Sequence, residues 1–185
     1  MHDFYFPYVG FENHAAGKWL RHRVGVWVDG RLSWLDDESW TFTFRYPLSA
    51  LVGHTLAKNE ELGIILEFDD VVDAHISAFM RNIHVINLRP DAREVRLFMH
   101  QAFVIGDARS NTDTAQYLPD SKAILHYRGR RAFIISGSHG DIPFDQYSIG
   151  LFGIEGWEGT YRDAEDGELS MHDVAIRSFP ALNTK

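Results

Sequence analysis

The chain has 185 residues, a formal charge of −8 and no cysteine. That length fits one domain able to bury roughly two-thirds of its unfolded surface. The acidic balance argues against nucleic acid or an anionic membrane, both of which are bound chiefly through Lys and Arg. The absence of cysteine excludes disulfides and thiolate zinc sites and suits a cytoplasmic protein. With 45% hydrophobic, 14% aromatic and 24% charged residues the chain is neither disordered nor membrane-spanning. Such an aromatic load fits a β-rich core.

In chain order, Asp3-Phe4-Tyr5-Phe6-Pro7-Tyr8-Val9-Gly10 is an aromatic run that opens close behind Met1. The short lead suggests a chain cut near or inside a structural element. Glu12-Asn13-His14 follows as a polar corner. With Tyr5 and Tyr8 upstream it has the chemistry of sugar recognition, in which aromatic faces stack on C–H surfaces and polar groups bind hydroxyls. A polar corner that closes a sheet edge or docks another domain uses the same residues, and both readings stay open. Arg23 to Leu35 reads as a hairpin, with Asp29-Gly30 suited to a type I′ turn and Val24, Val26 and Val28 sharing one face.

Trp40 to Tyr46 alternates aromatic with Thr and Arg, which predicts a strand with its aromatics facing the core, ended by Pro47. Leu51 to Lys58 has helical spacing too, but Gly53 and Thr55 favour a strand. Asn59-Glu60-Glu61-Leu62-Gly63 then makes a loop into Ile64 to Phe68. Ile76 to Leu88 and Arg93 to Ile105 read as two long strands of roughly 40 Å each, joined at Arg89 to Ala92. One face of the second run, carrying Glu94, Arg96, Phe98, His100 and Ala102, turns from charged to apolar, so its far half needs a cover.

Gly106 to Asp120 is polar, with Ser110-Asn111-Thr112-Asp113 as an evident loop. Ala123 to Tyr127 and Ala132 to Ser136 form a hairpin around Arg128-Gly129-Arg130. Beyond Gly137 the glycines punctuate a loop-rich region with one short helix predicted near Asp145 to Leu151. The architecture expected is all-β, a large antiparallel sandwich with long strands and little helix.

Several patterns carry no chemistry. Ten histidines are dispersed, with no H-x-H or H-x-x-x-H pair, so no metal site is expected, although His84, His100 and His126 on separate strands could converge. Ser136-Gly137-Ser138-His139-Gly140 is not a nucleophile elbow, and Gly150, Gly153 and Gly156 are not a dinucleotide loop, so no cofactor is implied. Glu155, Glu158, Asp163, Glu165 and Asp166 crowd around Trp157, Tyr161 and Arg162. A glycosidase needs two such carboxyls, and an acidic surface loop is the more ordinary reading.

Taken together, the Asp3 to His14 and Arg23 to Leu35 blocks resemble the N-terminal domain of prokaryotic glucoamylase-type enzymes of glycoside hydrolase family 15. Asn59 to Ile64, Ala123 to Gly129, Asp145-Gln146-Tyr147 and Glu158 to Gly167 fit the same family. The resemblance covers residues 3–170 and implies a super-β-sandwich that supports and docks on an (α/α)6 catalytic barrel, with 171–185 an atypical tail. The family's catalytic glutamates lie in that barrel, so none of the acidic residues here is assigned a catalytic role. Tyr8, Glu12, Asn13, His14 and Trp157 are then candidates for a domain interface or for substrate contact. The alternative is a carbohydrate-binding module holding α-glucan oligosaccharides through exposed Tyr or Trp. The family pattern has a strand before Asp3 that this chain lacks, and a missing strand favours self-association through exposed edges.

Overall fold

The computed structural model describes residues 14, 22–47, 49–73, 75–103, 105, 113–150 and 163–171. Among them the chain is all-β, with antiparallel pairing wherever register is defined and one short 3-10 turn at Ala164–Asp166. No described helix is long and apolar enough to cross a membrane. Contacts group the chain into two compact units, Val24–Asp29 with Ser33–Leu97, and Met1–Arg23 with Gly30–Leu32 and Phe98–Lys185.

The predicted hairpin forms. Strands β1 (Arg23–Val28) and β2 (Arg31–Trp34) flank Asp29 at φ 53° and Gly30 at φ 76°, the two positive values that a type I′ turn demands. Strand β1 is the middle member of a three-stranded sheet in the order β2-β1-β7, with β7 at Val95–His100.

In the first unit, β3 (Thr41–Arg45), β4 (Gly53–Asn59), β5 (Ile64–Val72) and β6 (Phe79–Asn87) form a meander in that order. The segment with ambiguous spacing is thus strand β4. Register separates the two faces. Phe42, Ala57, Leu66 and Val85 lie across from one another on one side, as do Phe44, Thr55, Phe68 and Ile83 in the next row. The opposite side is the more polar one, where His54 pairs with Asp69 and His84 with Glu67, although Leu56, Ile65 and Ile86 also lie on it. Val24, Val26 and Val28 of β1 close over the apolar side, forming a core with Trp40, Ala57, Leu62, Ile64, Leu66 and Phe68.

Polar groups inside this core are matched. The Trp40 indole N–H donates to Ser33 Oγ at 2.9 Å, and the fully buried Asn59 donates to Ser39 Oγ at 3.0 Å while accepting from Leu62 N at 2.9 Å. Arg93 ties the loops together. Its side chain is 3% exposed and donates to Asp29 at 2.9 Å, to the carbonyls of Leu62 at 2.9 Å and Gly63 at 3.1 Å, and to Asn87 at 2.6 Å. Arg89 adds a bond to Asp29 at 3.3 Å and one to the Glu61 carbonyl at 3.0 Å. Gly63 permits this: its φ is +65°, and a Cβ there would sit 3.2 Å from the Arg89 side chain.

In the other unit, β8 (Thr114–Leu118), β9 (Ala123–Arg128) and β10 (Arg131–Ile135) form a sheet in the order β10-β9-β8. Short strands β11 (Ser138–His139) and β12 (Ile142–Pro143) pair with each other around Gly140. Tyr117 stacks on Tyr147 at 4.0 Å, which holds the stretch after β12 against β8.

Four expectations need correction. The aromatics of β3 are not buried along its length: only Trp40 is, because β3 is the edge of its sheet and the cover of β1 stops short. The two long strands are shorter, Phe79–Asn87 and Val95–His100. A turn in which Asp73 Oδ1 accepts from His75 N and Ile76 N replaces the start of the first. Thr114–Leu118, in a stretch read as polar with no strand assigned, is a strand because β9 supplies its ladder. No helix forms across the described part of the predicted Asp145 to Leu151 helix, where Gln146 instead bonds Leu169 N at 3.0 Å. The covered far half of the β7 face is found, with Phe98, His100 and Ala102 buried.

Replacing Arg93 with Ala strips the buried Leu62 carbonyl of its donor and leaves the Gly63 carbonyl and Asn87 with only their bonds from Leu88 N and Arg89 N, and a loss of about 2–3 kcal/mol is expected in urea unfolding. Gly63→Ala is expected to cost about 1–2 kcal/mol through its positive φ alone.

Candidate functional site

Two places in the molecule combine unusual exposure or unusual burial with chemistry. The first is the end of the apolar sheet face that β1 does not cover. Along β3 exposure climbs from 41% at Phe42 to 69% at Phe44 and 77% at Tyr46. Two rows beyond that of Phe44 on the same face, Val72 and Phe79 are exposed and lie across from each other on β5 and β6. One row further in, Gly53, Asp70 and Arg81 are opposite one another.

Arg81 and Asp70 make a two-pronged pair, at 2.7 Å through Nε and 2.6 Å through Nη2. The guanidinium also lies 5.0 Å from the ring centre of Phe68 and 5.4 Å from that of Phe79, within cation–π range. It thereby seals the margin between the buried Phe68 and the open end. Tyr46 leans over Gly53, its Cε1 3.6 Å from where a Cβ would stand. A shallow groove of about 330 Å³ lined by Tyr46, Pro47, Ser49, Ala50 and Leu51 borders this end. These large exposed side chains lie together on one sheet end rather than as a scatter of single residues.

The second place is a buried histidine cluster in the other unit. Phe103 is its hub, stacked on Phe133 at 4.4 Å and met edge-on by His22 at 4.6 Å and His126 at 5.2 Å. His14, one of the sequence candidates, is fully buried with its ring edge-on to Phe133 at 5.4 Å. The side-chain carbonyl of Gln101 accepts from His22 Nδ1. His126 Nε2 lies 3.7 Å from Asp113 Oδ2, which also accepts from Ile105 N at 2.8 Å.

Burial pushes His22 down to about 4, against the opposing pull of Gln101 and with help from the nearby charges of His100 and His126. Burial likewise holds His126 below its ordinary value in spite of Asp113. Neutral imidazoles packed on phenylalanine rings serve as core. Among the described residues no group of three His, Asp or Glu is placed to hold a metal ion. His84, which could have joined His100 and His126, is instead exposed on β6 beside Glu67 at 3.3 Å.

Tyr8, Glu12, Asn13 and Trp157 lie outside the described residues, as do Glu155 and Glu158. Of the remaining acidic cluster, Asp163 accepts from Ser170 N at 2.8 Å and from Ser170 Oγ, and Asp166 accepts from Glu168 N at 2.9 Å. Both carboxylates hold local turns. Glu165 is exposed. The open sheet end was missed in the sequence because alternation assigns a face without saying how far its cover reaches.

Comparison of the chain with known family models, with curated proteins and with solved structures finds no match.

Phe44→Ser should change stability by no more than about 0.5 kcal/mol, as for an exposed position, and should lower binding of a hydrophobic dye. Below pH 6.5 the unfolded chain protonates His22 while the folded chain does not, so stability falls as pH drops from 6.5 toward about 4 and levels off below that. At about 1.4 kcal/mol per pH unit, the loss from this residue is bounded near roughly 3 kcal/mol. Urea titrations across this range should show the slope, and His22→Asn should flatten it.

Proposed function

We propose that this chain is a non-catalytic, supporting domain of a glucoamylase-like α-glucan hydrolase, docking on an (α/α)6 barrel through the open end of its four-stranded sheet. The observation that carries the reading is that open end: Phe44, Tyr46, Val72 and Phe79 extend the apolar face past the cover of β1. A sheet face of this kind is completed by another domain.

The blocks that carry the family resemblance also behave as scaffold. Asp29 of the hairpin and the carbonyls of Leu62 and Gly63 are drawn onto one buried arginine, Arg93. Gln146 of Asp145-Gln146-Tyr147 bonds Leu169 and Glu168, next to the acidic block that ends at Gly167. Residues spent on hydrogen bonds within the fold are those a supporting domain would keep. The described carboxylates of that block hold turns rather than flank a cleft, which favours support over hydrolysis.

The purified chain should release no glucose from maltooligosaccharides. It should bind the separately produced barrel of a prokaryotic glucoamylase-type enzyme at one to one in calorimetry, and Phe44→Ser with Phe79→Ser should weaken that binding at least tenfold. Glucose release by the chain alone, or barrel binding indifferent to both changes, would overturn the reading.

A further inference from the structure

Strand β3 presents a second feature, independent of the open face: its outer edge. It ends the sheet β3-β4-β5-β6, and among the described residues nothing pairs with its far side. It is the strand of that sheet in which every residue is exposed. Edge strands are commonly guarded by charge, proline, a bulge or a covering loop. Here the strand reads Thr-Phe-Thr-Phe-Arg, with one charge at its end and Pro47 beyond it.

We infer that two copies of this chain pair antiparallel through β3, with Thr43 on the two-fold axis. The sequence is self-complementary in that register. Thr43 faces Thr43 of the second copy on the polar side, and Phe42 faces Phe44 on the apolar side. Phe42 and Phe44 already lie parallel within one copy, ring centres 6.0 Å apart, so pairing assembles four phenylalanines in a row.

Charge follows the same symmetry. The strand is preceded by Asp36-Asp37-Glu38 and ends on Arg45. An antiparallel pair brings the Arg45 end of each copy alongside the acidic end of the other. Neither Arg45 nor Glu38 has an ion pair among the described residues. Asp37 is already engaged, accepting from Ser33 Oγ and Trp34 N, and Asp36 has an interaction of its own, so Glu38 is the carboxylate left for the partner's arginine. An interface of this kind is isologous and closed, which stops at a dimer. It uses the backbone edge and leaves the open face free for the docking proposed above.

Sedimentation of the full chain tests this, with strand content checked by circular dichroism. The wild type should run at twice its 21.2 kDa. Thr43→Lys and Thr43→Glu place like charges on the axis, so each alone should be monomeric, and mixing the two should restore the dimer. Arg45→Glu should weaken the dimer, and adding Glu38→Arg to it should restore it, which decides the matter should the Thr43 variants fail to fold. A monomeric wild type, or a dimer unaffected by these substitutions, would overturn the inference. Since the barrel is absent from this experiment, its failure leaves the docking reading to its own test.

Discussion

The valines of β1 are too few for the sheet they cover. Val24, Val26 and Val28 bury the rows of Asn59 and Ile64, of Ala57 and Leu66, and the inner side of Phe68. Strand β5 runs on to Val72, and its partner β6 starts at Phe79. The last rows of the face therefore meet water, carrying one arginine and several large apolar groups. At about 25 cal/mol for each Å² of apolar surface removed from water, an uncovered Phe or Tyr forgoes on the order of 1.5–3 kcal/mol relative to burial. A fold that leaves such gains unrealised has a surface suited to a partner.

Nature of the margin matters as much as its extent. Arg81 covers Phe68 with a planar cation held rigid by Asp70, so the buried core ends on a satisfied ion pair rather than a ragged apolar boundary. That arrangement lets the first unit hold its core without the missing cover. Arg93 does the equivalent service at the other end, where it gathers four acceptors, Asp29, Asn87 and the carbonyls of Leu62 and Gly63, onto one side chain. Between the two arginines the core of the sheet is matched in hydrogen bonding, and what stays open is the outer edge of β3 and the apolar end of the face.

Much of the local architecture was legible. Asp29-Gly30 announced its hairpin because few other dipeptides tolerate two positive φ values. The strand reading of β4 followed from Gly53 and Thr55. Less legible was whatever depended on which strands come together. Thr114–Leu118 sits in a polar stretch that carries no clear alternation and is a strand because β9 offers it a ladder. The aromatics of β3 alternate faultlessly, yet alternation reports the side of a sheet and not the reach of the layer above it. Likewise the gathering of His22 and His126 on Phe103 depends on tertiary register, which dispersed histidines cannot reveal. Of the residues singled out as site candidates in the sequence, His14 is buried against Phe133, and none of those that form the open sheet end was among them.

Hydroxyl-radical footprinting of the chain with and without a glucoamylase-type (α/α)6 barrel tests the central claim most directly, since it reads the exposure of individual aromatic rings. In the chain alone Phe44, Tyr46 and Phe79 should be modified readily and Trp40 and Phe68 slowly. With the barrel present the first three should become protected, while His54 and His84 on the polar side stay reactive. Unchanged modification of Phe44, Tyr46 and Phe79, with the barrel bound elsewhere or not at all, would contradict the account.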